Sequence, residues 1–495
     1  MLAVAVWDGK SNSGAATPDD RWTTAANWVN DEAPRTGDYL YFPSTADRLT
    51  SNNDFVADTA FAGLIFAGDN YLVGGSAINI ERGIVNEGLG NRLTLPLRLT
   101  NDQAFVSRGT LSIEAPMNLN GRTATLDGTS ADTVTTSALA NALSVSGVIS
   151  GSGAVLATGG GTVSLTAANT FAGTIEVNGG RLILANSNTF GGVTTIRNDA
   201  VLELASGEAL GAAGSAATGG VQVVGGGVIE LSGGISILGE SVSASSGFTL
   251  RANGGANTWS GAIAVTGTLV VTSTDVAGAS IRLTGAVTAG ELATSSSSGA
   301  DHELAGPASI SGAANISKLD VSNTVAIGGT LTISDSSVRS GATVSAASVD
   351  VTSTIVDGTV SASAAMQGGN VSGNGSLEYA TGEFATLKPG DVLSPGRLLL
   401  GRVTGGTSPA TAALSAFSPL ILGATPGVTH DQLSVRGTLT LADTVFQPVI
   451  NDFVPAMGQA FVIIDIVAVA ALVANREHEL VHQQQATLGQ RLEMS

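Results

Sequence analysis

The C-terminal tail of this 495-residue chain carries its one formal match to a catalytic metal motif. His478, Glu479 and His482 have the H-E-x-x-H spacing, in which two imidazoles one helical turn apart bind zinc and the glutamate acts as a base. The motif stands in a short segment, without a surrounding domain to complete a zinc site. We therefore interpret the match as chance and predict no metal ligand here.

One other histidine is flanked on both sides by carboxylates, in the run Asp301, His302 and Glu303. Adjacent side chains on a strand point to opposite faces of a sheet, so these three residues would not converge on one metal ion. We expect an exposed turn at this position.

Polysaccharide cleavage would need a different set of residues. A lyase uses a basic residue beside carboxylates that hold a cation, and a hydrolase uses two or three carboxylates in one cleft. The chain has three lysines, each isolated, and its near pairs of acids, Asp19–Asp20 and Asp31–Glu32, fall in an aromatic leading segment. Neither a calcium-binding nonapeptide nor an EF-hand loop is present. We predict a protein that is not an enzyme and has no cofactor. A polysaccharide-binding or polysaccharide-cleaving β-helix is the alternative function.

Composition restricts the architecture. Charged residues make up 12% of the chain and aromatic residues 4%, whereas 43% are hydrophobic and Gly occurs 65 times. A core must therefore be built from Val, Leu, Ile and Ala, with Gly at the corners.

The net charge is −19 and no Lys/Arg cluster exists, which excludes nucleic acid as a partner. We interpret the acidity as a means of keeping the chain soluble.

The location of the protein is indicated by what it lacks. The chain has no Cys, which fits export to an oxidising environment. Its longest apolar run, residues 460–474, contains Asp465 and is shorter than the roughly 20 residues of a membrane-spanning helix. We predict no transmembrane segment, and residues 1–6 do not form a signal peptide.

A short sequence motif recurs along the chain. Residues 169–173 read N-T-F-A-G, residues 188–192 read N-T-F-G-G, and residues 257–261 read N-T-W-S-G. An alternating apolar stretch follows each copy. A unit of about 20 residues cannot enclose a core by itself and must stack on its neighbours. The structural repeat positions that we predict are Asn169, Phe171, Gly173, Asn188, Phe190, Gly192, Asn257, Trp259 and Gly261.

These patterns predict an all-β, right-handed parallel β-helix (β-solenoid) with four segments. We expect an N-terminal cap segment over residues 1–60, solenoid repeats over 61–385, a C-terminal β region after Pro-rich turns over 386–469, and a helical tail over 470–495. The cap would use Trp7, Trp22 and Trp28 to cover the open end of the core, although exposed tryptophans could also stack on sugars. In the tail, an amphipathic helix is indicated by apolar residues at helical spacing, namely Val473, Leu480, Val481, Leu488 and Leu492.

Several motifs resemble the autotransporter-associated β-strand repeat. They are G-V-I-S-G-S-G at residues 147–153, G-G-T-V-S-L at 160–165 and the N-T-F-A-G copy at 169–173. Turns at 387–390 and at His430–Asp431 are similar to those of the same surface proteins, and the resemblance makes the His–Asp pair a structural turn. The resemblance implies an extracellular or cell-surface location and a β-helix whose repeats assist passage or form a stalk.

We therefore expect a secreted or surface-displayed structural or adhesive protein. Its partners would be itself or extracellular glycans or proteins. The uncharged strand-like segment Leu2–Trp7 and the apolar stripe of the tail predict head-to-tail contact between copies, which would propagate into a filament or matrix.

Overall fold

The fold consists almost entirely of β-strands joined by short turns. In the computed structural model the only helical turns of the described part are the 3-10 turns Ala25–Asn27 and Val29–Asp31. The structure describes residues 3–10, 19–128, 142–211, 220–390, 395–401, 410–417, 419–421, 430–441, 444–446, 448–450, 461–468, 473–474 and 490–494. No helix in these ranges is long and apolar enough to cross a membrane.

The chain divides into two compact units. The first comprises Met1–Asn253 with Trp259–Ala262, and the second comprises Gly254–Thr258 with Ile263–Ser495. Each unit is a parallel β-solenoid, so the prediction of an all-β solenoid is confirmed. The right-handed winding and the segment boundaries at residues 60, 385 and 469 stay predictions.

Three series of parallel strands build the first unit. The first series consists of Val4–Val6, Tyr39–Phe42, Gly63–Phe66, Ile84–Asn86, Gln103–Ser107, Arg122–Asp127, Gly153–Thr158, Ile175–Asn178, Thr194–Arg197, Val221–Val224 and Val242–Ala244. The second consists of Thr50–Asn53, Leu72–Gly75, Asn91–Leu93, Leu111–Ile113, Ala142–Val145, Thr162–Leu165, Arg181–Leu184, Val201–Leu204, Val228–Ser232 and Phe248–Asn253. The third is shorter and consists of Thr59–Phe61, Ile78–Ile80, Leu97–Leu99, Met117–Asn118 and Ile149–Ser150. A further strand of this unit is Ser236–Ile237, and the residues of the strand Ala256–Trp259 are divided between the two units.

The second unit also has three series. Its first series consists of Ile263–Val265, Val287–Ala289, Ala308–Ile310, Thr324–Ile327, Thr343–Ala346, Thr359–Ala362, Ser376–Glu378, Arg397–Gly401, Gln432–Leu441 and Phe461–Ala468. The second consists of Thr268–Ser273, Glu291–Thr294, Ala314–Ser317, Thr330–Ser334, Ser348–Thr352, Ala365–Gly373, Thr381–Pro389, Ala410–Phe417, Gln432–Leu441 and Val473–Ala474. The third consists of Ser280–Leu283, His302–Leu304, Leu319–Val321, Ser337–Val338 and Thr354–Val356. Short strands pair beside them at Val445–Phe446, Leu420–Ile421 and Val449–Ile450.

One period of the sequence repeat is one coil of the solenoid. Leu165 lies directly opposite Leu184 on the neighbouring strand, and Asn169 bonds to Asn188 nineteen residues further on. Along Arg181–Leu184 the apolar residues at alternate positions are buried. The core is therefore made of columns of Val, Leu and Ile that add one residue per coil, because side chains alternate between the two faces of a strand.

The predicted helical tail is wrong where residues 470–495 are described. Val473–Ala474 pairs in parallel with the strand Gln432–Leu441, and Gln490–Met494 pairs antiparallel with Phe461–Ala468. The strand Phe461–Ala468 offers an unpaired edge, and the tail satisfies its backbone groups by adding a strand there. This pairing outweighs the helical spacing of the apolar residues. Leu480, Val481 and Leu488 of that pattern lie outside the described residues, as do His478, Glu479 and His482.

Candidate functional site: side chains that join successive coils

Two buried asparagines of the repeat form a continuous hydrogen-bonded column. Asn169 Oδ1 accepts the backbone N–H of Ile149 at 2.9 Å. Asn188 Oδ1 in turn accepts both the backbone N–H of Asn169 at 2.9 Å and its Nδ2 at 3.1 Å. Asn188 Nδ2 donates to the carbonyl of Ala209 at 2.8 Å. A buried amide is costly unless its donors and acceptors are satisfied. Here the neighbouring coils satisfy them, so these amides hold coils together and are not open to a ligand.

The third copy of the motif uses its asparagine in a similar way. Asn257 is buried and its Nδ2 donates to the carbonyls of Gly254 and Gly255, each at 3.1 Å, and to that of Ser280 at 3.3 Å. Trp259 is also buried. Its indole N–H has no hydrogen-bond partner within the described ranges.

The phenylalanines of the repeat stack inside the first unit. Phe171 and Phe190 are buried, and their rings lie nearly parallel with centroids 5.3 Å apart. Stacked rings at successive coils bury a large apolar area and fix the distance between the coils. The motif therefore contributes core packing at this position.

A glycine follows each aromatic residue because the coils approach closely at that corner. A Cβ placed on Gly173 would lie 1.7 Å from the carbonyl oxygen of Gly153, and one on Gly261 would lie 1.7 Å from the carbonyl oxygen of Glu240. At Gly192 the corresponding distance to the oxygen of Gly173 is 2.4 Å. Only a residue without a side chain fits under the preceding coil.

An ionic column joins four strands of the second series of the first unit. Arg181 Nη1 lies 2.5 Å from Glu203 Oε2 and 2.7 Å from Glu230 Oε1, and Arg251 Nε donates to Glu230 Oε2 at 2.6 Å. Burial alone would raise the pKa of Glu230, which is 2% exposed. The hydrogen bonds and charges of the two arginines outweigh burial and hold the pKa below its ordinary value.

This column contains two carboxylates, Glu203 and Glu230, which invites comparison with the paired carboxylates of a hydrolase. A glycosidase needs one carboxyl group that is protonated near neutral pH to act as an acid. Glu230 is kept ionised, and Glu203 is held by Arg181 and by Ser232 Oγ at 2.9 Å. The lowered pKa makes Glu230 unsuited to that role, and both carboxylates pair with arginines of adjacent coils.

His302 is buried on the strand His302–Leu304, so the expected exposed turn is wrong. Its Nδ1 accepts the backbone N–H of Ile281 at 3.0 Å, and its Nε2 lies 2.9 Å from the carbonyl of Ser295. The imidazole is therefore neutral, with its proton on Nε2. Glu303 points away and pairs with Arg282. Across the ranges that the structure describes, no group of three potential metal ligands occurs.

Acid should destabilise the second unit through His302. Burial lowers the pKa of this imidazole, against the opposing effects of the Ser295 carbonyl and the Asp301 charge. A group whose pKa is lowered in the folded state stabilises the protein above its unfolded pKa of about 6.5, and this contribution is lost as the pH falls below that value. Protonation must also break the bond to Ile281, which is worth about 1 kcal/mol. Urea unfolding between neutral pH and pH 5 should show a loss of stability that the variant His302→Gln lacks. An equal loss in both proteins would contradict the assignment.

His430 and Asp431 are fully buried in the second unit. The carboxylate of Asp431 accepts the backbone N–H groups of Gly396 and Leu420, each at 2.8 Å. His430 packs edge-on against Phe461 and its Nε2 lies 3.2 Å from the Val462 carbonyl. Both side chains join chain segments that are distant in sequence.

The three tryptophans of the leading segment form one buried cluster. Trp28 packs edge-on against Trp7 at 5.3 Å and against Trp22 at 6.3 Å between ring centroids. Their indole N–H groups donate to the carbonyl of Arg48, the hydroxyl of Ser51 and the carbonyl of Trp22. Because the rings are buried, they do not offer a surface on which a sugar could stack.

Two shallow grooves lie on the outer surface of the second unit. One, of about 380 Å³, is lined by polar residues that include Gln367, Glu383 and Thr411. The other, of about 400 Å³, is lined by residues that include Asn370 and Lys388. Each groove has one ionisable residue among its described lining residues, which does not provide the paired carboxylates of a hydrolase.

Comparison with known proteins does not assign the chain to a family. No protein-family model matches the chain, and neither a curated protein nor a solved structure matches it. The resemblance to the autotransporter-associated repeat therefore stays an expectation that rests on its motifs.

Proposed function

We propose that this protein is a secreted or surface-displayed structural and adhesive β-solenoid. The observation that supports the proposal is that the repeated side chains make contacts between coils. The asparagine, aromatic and glycine positions of the motif contact neighbouring coils, as Asn188 and Phe190 do. Repeated side chains that pack each coil against the next are typical of a scaffold. In an enzyme, several reactive side chains would point into one site.

The proposal includes association between copies of the chain. A net charge of −19 makes copies repel each other, except where an exposed surface carries no charge. Such a surface exists on the first series of the second unit, where successive strands place uncharged side chains in register. We call it the hydroxyl face, and it comprises Thr288, Ser309, Ala326, Ser345 and Ser361, with Thr324, Thr343 and Thr359 beside them; it ends where Glu378 lies opposite Ser361.

Other outward positions of the same unit are charged. The third series carries the ion pairs Arg282–Glu303 and Arg339–Asp320, and the second series carries Asp350. We therefore propose side-by-side contact through the hydroxyl face. The end-to-end contact suggested by residues 1–7 and 470–495 is the other arrangement.

Light scattering and electron microscopy of the purified chain over a range of concentrations test this function. We expect assemblies to grow with concentration, and Ser309→Glu, at an exposed position, to weaken them by adding negative charge to the hydroxyl face. Thr332→Glu, an equally exposed substitution on the second series, is the matched control and should leave assembly unchanged. A chain that stays monomeric at every concentration would refute self-association. Loss of assembly only on removal of residues 1–7 and 470–495 would favour end-to-end contact.

Binding to a glycan array tests the adhesive part of the proposal separately. A structural adhesin should retain glycans without shortening them. Release of shorter products from a polysaccharide would instead support the alternative function of cleavage.

A further inference from the structure

Asparagine followed by glycine is the dipeptide in which a backbone amide most readily attacks the preceding side chain, because glycine offers no steric obstacle. Three Asn-Gly pairs of this chain lie wholly within one compact unit: Asn120–Gly121, Asn178–Gly179 and Asn374–Gly375. All three occur at corners between strands. The attack of the glycine nitrogen on the asparagine side chain can therefore be compared at three corners of the same fold.

The glycine N–H distinguishes the three corners. Gly121 donates to the Ser152 carbonyl at 2.5 Å, and Gly375 donates to the Val356 carbonyl at 2.8 Å. Gly179 donates to no acceptor in the part of the chain that the structure describes. An amide nitrogen that is held by a neighbouring coil must break that bond before it can turn towards the side chain. Gly179 has no such bond to break.

The backbone at Gly179 is also free of a second restraint. It is followed by Gly180, and both residues have positive φ, at 95° and 62°. Two consecutive glycines can rearrange more easily than the Gly-Arg and Gly-Ser sequences at the other corners.

The side-chain carbonyl of Asn178 is polarised. Asn198 Nδ2 donates to Asn178 Oδ1 at 2.5 Å, at the atom where negative charge develops when a nucleophile adds to the amide carbon. Asn120 and Asn374 also accept bonds at Oδ1, from Arg98 and from the backbone of Arg397. Polarisation is thus common to the three sites, and the unbonded glycine N–H and the following Gly180 are what separate Asn178 from the others.

We infer that Asn178–Gly179 is a site of spontaneous deamidation favoured by the fold. The backbone nitrogen of Gly179 forms a bond to Asn178 Cγ, the Cγ–Nδ2 bond breaks, and the proton from the glycine N–H leaves with Nδ2 as ammonia. Water then opens the resulting succinimide at one of its two carbonyls, which gives aspartate or isoaspartate.

The product would alter the ionic column three residues away. Isoaspartate adds one methylene to the main chain between residues 178 and 179, immediately before the strand Arg181–Leu184. Arg181 at the start of that strand holds both Glu203 and Glu230. Deamidation would therefore displace Arg181, which pairs with the buried Glu230. Slow chemical change at Asn178 would in this way weaken the contacts between coils.

The test is incubation of the full chain in warm, mildly alkaline buffer, followed by peptide mass spectrometry with fragmentation that distinguishes isoaspartate. We expect Asn178 to deamidate at least about fivefold faster than Asn120 or Asn374, the factor for one hydrogen bond that need not be broken. In the chain unfolded by urea, the excess at Asn178 should shrink to the part that its Gly-Gly sequence causes. The variant Asn178→Gln should lose the fast phase and retain the two slow ones.

Two results would overturn the inference. One is equal rates at the three sites in the folded chain, or a slower rate at Asn178. The other is an excess at Asn178 that is as large in urea as in the folded chain, because the neighbouring sequence and not the fold would then control the rate.

Discussion

The variant Phe171→Asp is expected to lose about 4 kcal/mol or more of its free energy of unfolding. Removing a buried phenylalanine side chain costs roughly 3–5 kcal/mol, and a carboxylate left in an apolar site adds the cost of its desolvation or protonation. Phe171 is fully buried and stacks on Phe190, so the next coil loses a packing partner as well. Urea unfolding followed by circular dichroism measures the effect.

Phe171→Leu is the matched control. It keeps the site apolar and should cost far less than the aspartate, in the range of about 1–2 kcal/mol. If Phe171→Asp changed the stability by less than about 1 kcal/mol, the side chain would have to lie on the surface, and the stacked core described for this unit would be wrong.

A pair of neighbouring glycines provides the second prediction. A Cβ on Gly192 would lie 2.4 Å from the Gly173 carbonyl oxygen and 2.7 Å from the Thr174 nitrogen, whereas a Cβ on Gly191 would have no atom within 4 Å. Gly192→Ala should therefore force two coils apart and cost about 2–3 kcal/mol. Gly191→Ala should be neutral or stabilise the protein by about 0.5 kcal/mol, because it restricts only the unfolded chain.

The same urea titration measures both glycine variants. Equal stabilities would show that the coils are not in contact at Gly192. A larger loss at Gly191 than at Gly192 would contradict the register of this corner.

Much of the stacking could be predicted from the sequence because its period equals the coil length. The spacing of Asn169 from Asn188 places the two asparagines on adjacent coils, and the alternation around Leu182 and Leu184 identifies the buried face. Aromatic residues and glycines at fixed offsets from these asparagines then fall into columns of their own. These inferences needed only the repeat and the geometry of a strand.

The ionic column was missed because its partners are far apart along the chain. Arg181 pairs with Glu203 twenty-two residues later, and Arg251 pairs with Glu230 twenty-one residues earlier. Arg251 lies directly opposite Glu230 one coil away, and Glu203 lies two residues beyond the position opposite Arg181, so a search for opposite charges near the repeat distance would have found them. The acids that we interpreted as a solubility device include several that bond to adjacent coils.

Tertiary contacts explain where sequence reasoning was wrong. Residues typical of turns precede His302 in the sequence. The imidazole is nevertheless buried, because it makes hydrogen bonds with the backbone N–H of Ile281 and the carbonyl of Ser295. The helical spacing of the tail is outweighed at residues 490–494 by the free edge of Phe461–Ala468. Neither the acceptor for a buried imidazole nor an unpaired strand edge can be identified before the coils are assembled.

Hydrogen exchange measured by mass spectrometry on the full chain, with and without Asn188→Ala, tests most directly whether the repeated polar side chains join coils. The substitution removes the acceptor of Asn169 and the donor to Ala209. We predict faster exchange in the coil before Asn188 and in the coil after it, as well as in its own. Faster exchange confined to residues 186–190 would contradict the account, since Asn188 would then stabilise only its own turn.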